Sequence, residues 1–276
     1  MKKNQKNLKK TSESVSFIAT EYKIFQEIEK ETLEKNRANA DILIEHLNNW
    51  IDTAIPIIKR NPNIIRSSIG FRFIETFSEM RLTVFSIFSG AYLQSVRNLR
   101  FIFESMVHAY YLETNYSPVY PDLFLKAIDQ QSDETDIQKR LEDRLKLEYP
   151  DRNDQFRDIT GFQVRIIDEL PFLPEEKADL KNTYHRLSSL CHPAPEQMKR
   201  MIQNPDLIFT FFYNEDFFNE SIGFVDEVMD LTFAITLHRF PFLKEMIKSD
   251  ENGLLYDSLD RLPITNRILN EITVRG

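Results

Sequence analysis

The stretch Ala91–Tyr116, AYLQSVRNLRFIFESMVHAYYLETNY, decides the fold class. Val96, Leu99, Phe101, Ile102, Phe103, Met106, Val107, Tyr110 and Leu112 make most of its surface apolar at helical spacing, with no proline inside it. SPVYP, Ser117 to Pro121, stops it. Helical periodicity continues on both sides. Upstream it runs from Val15 to about Arg60, with Phe17, Ile18, Tyr22, Phe25 and Ile28 on one face and a break expected near Asn36 to Ala40. Pro56 is expected to kink this helix, and Asn61 to Asn63 to end it. The next segment runs from about Ile64, with Gly70 and Gly90 as possible breaks. Downstream, Pro174 stands at a first helical position followed by acids, and a long apolar helix spans about Glu215 to Arg239 before Pro241. IFTFFY, Ile208 to Tyr213, is the one strand-like run.

These elements read as an all-α protein, a single bundle of seven or eight helices. The helical domain covers 15–248, with 123–149 as a possible charged insertion. Residues 1–14 read as a basic, disordered tail, and 249–276 as a C-terminal tail with a short helix. A chain of 276 residues buries about 70–75% of its unfolded surface, enough for a stable core. The 42% hydrophobic content, with 22 Phe, excludes a disordered chain. The 6 glycines are about a third of the usual share, which leaves little room for hairpins or a Gly-rich phosphate loop. Neither GxGxxG nor GxxxxGK[ST] occurs.

The net charge of −8 argues against a broad basic surface for duplex nucleic acid, while leaving room for a local basic pocket. The single cysteine permits no internal disulfide and fits a reducing compartment. No apolar h-region follows the basic start and no long uncharged apolar run occurs, so a cytoplasmic, non-membrane protein is expected. HExxH and CxxC are both missing, and no metal or cofactor is expected.

Two polar lines stand out. In the first helix quoted, Arg97, Arg100, Glu104, His108 and Tyr111 fall within about 80° of one another. Arg100 and Glu104 are spaced to pair, and Arg97 is placed to join them. Such a line is a solvent-facing stripe, a buried network that fixes helix packing, or a functional pocket. The second line is YHRLSSLCHPAPE, Tyr184 to Glu196. His185, Ser188, Ser189 and His192 share a face there, and Pro193 ends the helix at His192. A histidine at a helix C-terminus is favoured as imidazolium, a good proton donor. An adjacent arginine can hold a phosphate through a forked pair of hydrogen bonds, and Ser189 could orient either group. The alternative is a C-cap histidine beside serines at a close helix crossing. Cys191 reads as a small buried hydrophobe.

RLSSLCH, with five residues between Arg186 and His192, resembles the Arg-x(4–6)-His signature of the HEPN superfamily of all-helical domains. LRFIFES together with YHRLSSLCHP is similar to a loose group of prokaryotic helical proteins with a Tyr-x-x-Leu-Ser-x-x-x-His-Pro motif, distantly related to HEPN domains. The resemblance covers about 90–239. It implies a metal-independent ribonuclease of a toxin or antiviral defence system, acting as a homodimer. Arg186 would hold the scissile phosphate and His192 would assist proton transfer, with Arg97, Arg100, Glu104, His108 and Ser189 in support. Leu187 stands where active members often carry a polar residue, and Pro193 where the helix usually continues. Many relatives are inactive and serve as binding modules. Two further expectations therefore stand beside the ribonuclease: a non-catalytic module for RNA, a nucleotide or a protein partner, and a structural interaction protein.

Overall fold

A computed structural model describes residues 2–129, 134–148, 150, 161–191, 213–248 and 262–271. Side chains are described from residue 22 onward, except at 128, 134–138, 141 and 145. The described residues hold nine α-helices, more than the seven or eight expected from periodicity, and no strand. They are α1 (Lys2–Arg60), α2 (Ser68–Phe88), α3 (Tyr92–Asn115), α4 (Val119–Asp129), α5 (Glu134–Glu148), α6 (Pro174–Cys191), α7 (Glu215–Arg239), α8 (Phe242–Lys248) and α9 (Pro263–Asn270). Residues 208–212 of the strand-like run lie outside the described residues. The protein is all-α.

The helix stops follow from local chemistry. α1 includes residues 2–14, which the sequence set apart as a tail. Within it only Asn36 leaves helical geometry, at φ −128° and ψ 31°, inside the expected break, while Pro56 is carried within the helix. The Ser67 side chain accepts a bond from the Gly70 amide and caps α2. Gly70 is not a break. A Cβ there would stand 1.9 Å from the Ile64 carbonyl oxygen, so only glycine allows the preceding 3₁₀ turn (Pro62–Arg66) to sit so close. Gly90, at φ 72°, makes the turn between α2 and α3.

α2, α3 and α7 form the centre. The start of α2 meets the end of α3 where Ser67 and Ser68 bond to Glu113, so these two helices are antiparallel. α3 and α7 run parallel: Tyr92 lies against Phe217 near their starts, and Tyr110 against His238 near their ends. Phe73 and Phe77 of α2 meet Phe233 of α7 edge-on, with ring centroids 5.6 and 6.2 Å apart. Every residue from Val228 to Leu237 is buried, as expected of a central helix that is apolar on all sides. Its threonines do not break this pattern. Thr232 and Thr236 donate to the carbonyls of Val228 and Thr232, each at 2.8 Å.

The remaining helices cover this centre. α1 runs alongside α7, tied by Asn36 to Tyr213, Asn39 to Asn219 and His46 to Asp226. The charged segment 123–149 includes the end of α4 and all of α5, and the two pack against each other. α9, a short helix within the C-terminal segment as expected, is anchored to the core. Ile264, Ile268 and Leu269 enter the core, the buried carboxylate of Asp230 accepts the Ile264 and Thr265 amides at 2.9 and 2.7 Å, and Arg267 grips Glu176 at the start of α6. No described helix is long and apolar enough to cross a membrane.

Candidate functional site

α6 lies between α3 and α7, antiparallel to both, and its two sides carry different chemistry. Tyr184, Leu187 and Cys191 recur at helical spacing on the side facing α3. Arg186 is rotated about 200° from Tyr184 and faces α7. This rotation decides which of the predicted residues meet.

On the α3 side, Arg100 Nε donates to Glu104 Oε1 at 2.7 Å, the pair expected from the sequence. The Tyr184 hydroxyl joins it, donating to Glu104 Oε1 at 3.2 Å and accepting from Arg100 Nη2 at 3.4 Å. The Tyr184 ring packs 4.7 Å from Phe162 and 5.8 Å from the buried Phe103, with the Arg100 guanidinium 5.6 Å from its centroid. Cys191 lies buried at the end of α6, where the Arg100 and Arg97 charges reach it. It is thus more than a small hydrophobe. Arg97 is exposed and makes no hydrogen bond or ion pair among the described residues, so it does not join the Arg100–Glu104 pair. His108 is half-buried, one turn beyond Glu104.

The electrostatics favour holding a charge over moving a proton. Burial pushes the Cys191 thiol above its ordinary range, against the opposing charge and hydrogen bond of Arg100. Burial also pushes the Tyr184 phenol up, and the Glu104 carboxylate adds to this. Both groups therefore stay protonated at neutral pH, and neither is poised as a nucleophile. What the seam offers to a ligand is two guanidinium groups, one of them without a hydrogen-bond or ion-pair partner among the described residues, beside half-exposed aromatic rings.

The α7 side is a closed clamp. Arg186 Nη1 lies 3.3 Å from Glu227 Oε1 and Nη2 lies 3.4 Å from Glu220 Oε1, with the guanidinium 4.3 Å over the buried Phe224 ring. The Thr183 hydroxyl donates to the other Glu227 oxygen at 2.6 Å. Arg186 is therefore not brought to the Arg97 line. Ser189 is exposed, and its hydroxyl donates to the Arg186 carbonyl at 2.9 Å, with no side-chain partner among the described residues. His192 lies outside the described residues. No group of three or more potential metal ligands occurs among the described residues.

The sequence reading missed Tyr184 and Cys191 as partners of Arg100, although their seven-residue spacing places both on one helix face. It also missed Glu220 and Glu227 as partners of Arg186, at the same spacing on α7. Comparison with family models, curated proteins and solved structures finds no match to this chain.

Proposed function

We propose that this chain is a helical binding module that takes the phosphates of RNA at the seam between α3 and α6. The observation that carries the reading is the pair of guanidinium groups, Arg97 and Arg100, at a seam whose thiol and phenol both stay protonated. Arg97 is exposed and has no carboxylate partner among the described residues, so its guanidinium is open to a phosphate on that side. The net charge of −8 confines such binding to a local site. The test is binding of labelled RNA over a salt series. Arg97→Ala should weaken binding about equally for all sequences and lower the salt slope by about one. Unchanged affinity and slope in that variant would remove the seam as the binding site.

A second reading is the metal-independent ribonuclease, in which two copies of the chain meet and His192 and Arg186 act on the RNA. It draws support from one fact: Cys191 sits beside Arg100, and His192 follows it in the chain. Incubation of RNA with a chelator tests it. Cleavage lost in both His192→Ala and Arg186→Ala supports the ribonuclease. RNA that is bound and stays whole supports the binding module.

A further inference from the structure

Phe101 is an anomaly on α3. The helix buries most of its aromatic residues, yet Phe101 is 44% exposed and makes no ring contact among the described residues. Arg97 lies one turn before it and Leu93, also exposed, one turn before that. Arg97 and Phe101 lie at one edge of the face that carries Arg100 and Glu104, and Leu93 falls within that face. Many exposed cations of the helices have an acid one turn away, as in Lys30–Glu34, Lys35–Glu31, Arg37–Asp41 and Arg144–Glu148. Arg97, like Arg81 on α2, has none. The neighbours of Arg97 at three and four positions are Leu93, Gln94, Arg100 and Phe101, with no acid among them. An exposed flat ring and a guanidinium with no ion-pair partner among the described residues thus stand one turn apart, about 6 Å along the helix.

That spacing suits one nucleotide, in which a flat base and an anionic phosphate are separated by a sugar. We propose that Phe101 and Arg97 form a seat for a single unpaired nucleotide, with its base stacked on the Phe101 ring and its phosphate held by Arg97. The inference rests on the reading of this seam as an RNA site and deepens it. In a duplex the faces of the bases are covered by their neighbours, so only a single strand, a loop or an end can occupy the seat. Arg100, Tyr184 and Phe162 continue the same combination of charge and ring toward α6. The charge complementarity is local, since the rest of the chain is acidic.

The test measures fluorescence anisotropy with a short labelled oligouridylate, free and annealed to its complement. The proteins are the full chain, Phe101→Ala, Phe101→Trp and Arg97→Ala, each checked by circular dichroism. The single strand should bind the wild type more tightly than the duplex. Phe101→Ala should weaken it on the order of tenfold. Phe101→Trp should bind at least as well as wild type, because the larger ring stacks better. If duplex and single strand bind alike, or if Phe101→Ala binds as wild type while Arg97→Ala is weakened, the nucleotide seat falls and the phosphate reading stands. If the wild type binds neither form, both fall. If Phe101→Ala changes the oligomeric state by sedimentation and leaves RNA binding intact, the exposed ring belongs to a contact between copies and the seat is refuted.

Discussion

Arg186→Ala separates a structural arginine from a phosphate-holding one. The side chain makes two ion pairs, at 3.3 and 3.4 Å, and stands 4.3 Å over the Phe224 ring. It is 48% exposed and both glutamates are 38% exposed, so solvent and salt screen the pairs. Exposed pairs contribute about 0.2–1 kcal/mol each. A cation over an aromatic face at such a site adds about 0.5–1 kcal/mol. Part of this overlaps, because one guanidinium makes all three contacts, and the loss should total about 1–2 kcal/mol. For a chain near this length that corresponds to a fall in Tm of about 2–5 °C. Melting wild type and variant at low and at high salt measures it. The difference should shrink at high salt by the ion-pair share and keep the ring share. RNA affinity, measured in parallel, should stay at the wild-type value, because Arg186 faces α7 and the seam lies on the opposite side of α6. A variant that melts like wild type but no longer binds or cleaves RNA would refute this reasoning and make Arg186 a ligand-holding group.

Two further outcomes follow from groups elsewhere in the fold. The carboxylate of Glu113 is almost fully buried and accepts from Ser67, Ser68, the Ile69 amide and Arg239, at the start of α2 where the helix dipole favours an anion. Glu113→Ala strands all four donors and should cost about 3–5 kcal/mol in urea unfolding, and Arg239→Ala should cost less because that side chain is half exposed to water; a loss below about 1 kcal/mol for Glu113→Ala would overturn the assignment. Burial, assisted by the Lys244 charge, holds the His238 imidazole below its ordinary pKa. The folded state therefore binds this proton less readily than the unfolded chain, so the contribution of His238 to stability is present above about pH 6.5 and lost as the pH falls through its folded value. His238→Asn should flatten the acid side of the stability profile relative to wild type, and superimposable profiles would show that His238 plays no part.

Much of the fold was legible in the residues themselves because helix stops are local events. Prolines at 174 and 241 and the glycine at 90 mark element ends through steric restrictions that act within a few residues. Asn36 interrupts α1 within the break expected from the pattern. Gly70 was misread because its reason is not local to the helix: it makes room for the carbonyl of Ile64 in the preceding turn. The C-terminal segment reads as a tail with a short helix, and α9 is such a helix; its docking into the core is not local information. Its anchor, Asp230, lies far back in the chain, within a run that reads as one apolar helix.

The candidate site divides in the same way. Pairing of Arg100 with Glu104 was determined by the sequence alone, because four residues of helix place the two side chains side by side whatever surrounds them. The partners of both lines were decided only by tertiary structure. Packing α6 between α3 and α7 turned Tyr184 and Cys191 toward the arginines of α3 and Arg186 toward the glutamates of α7. One sequence motif thus faces two different helices. A helix rotates about 100° per residue, so residues adjacent in the motif point in different directions. What each one meets depends on where the neighbouring helices lie, which the long-range packing of buried apolar side chains settles.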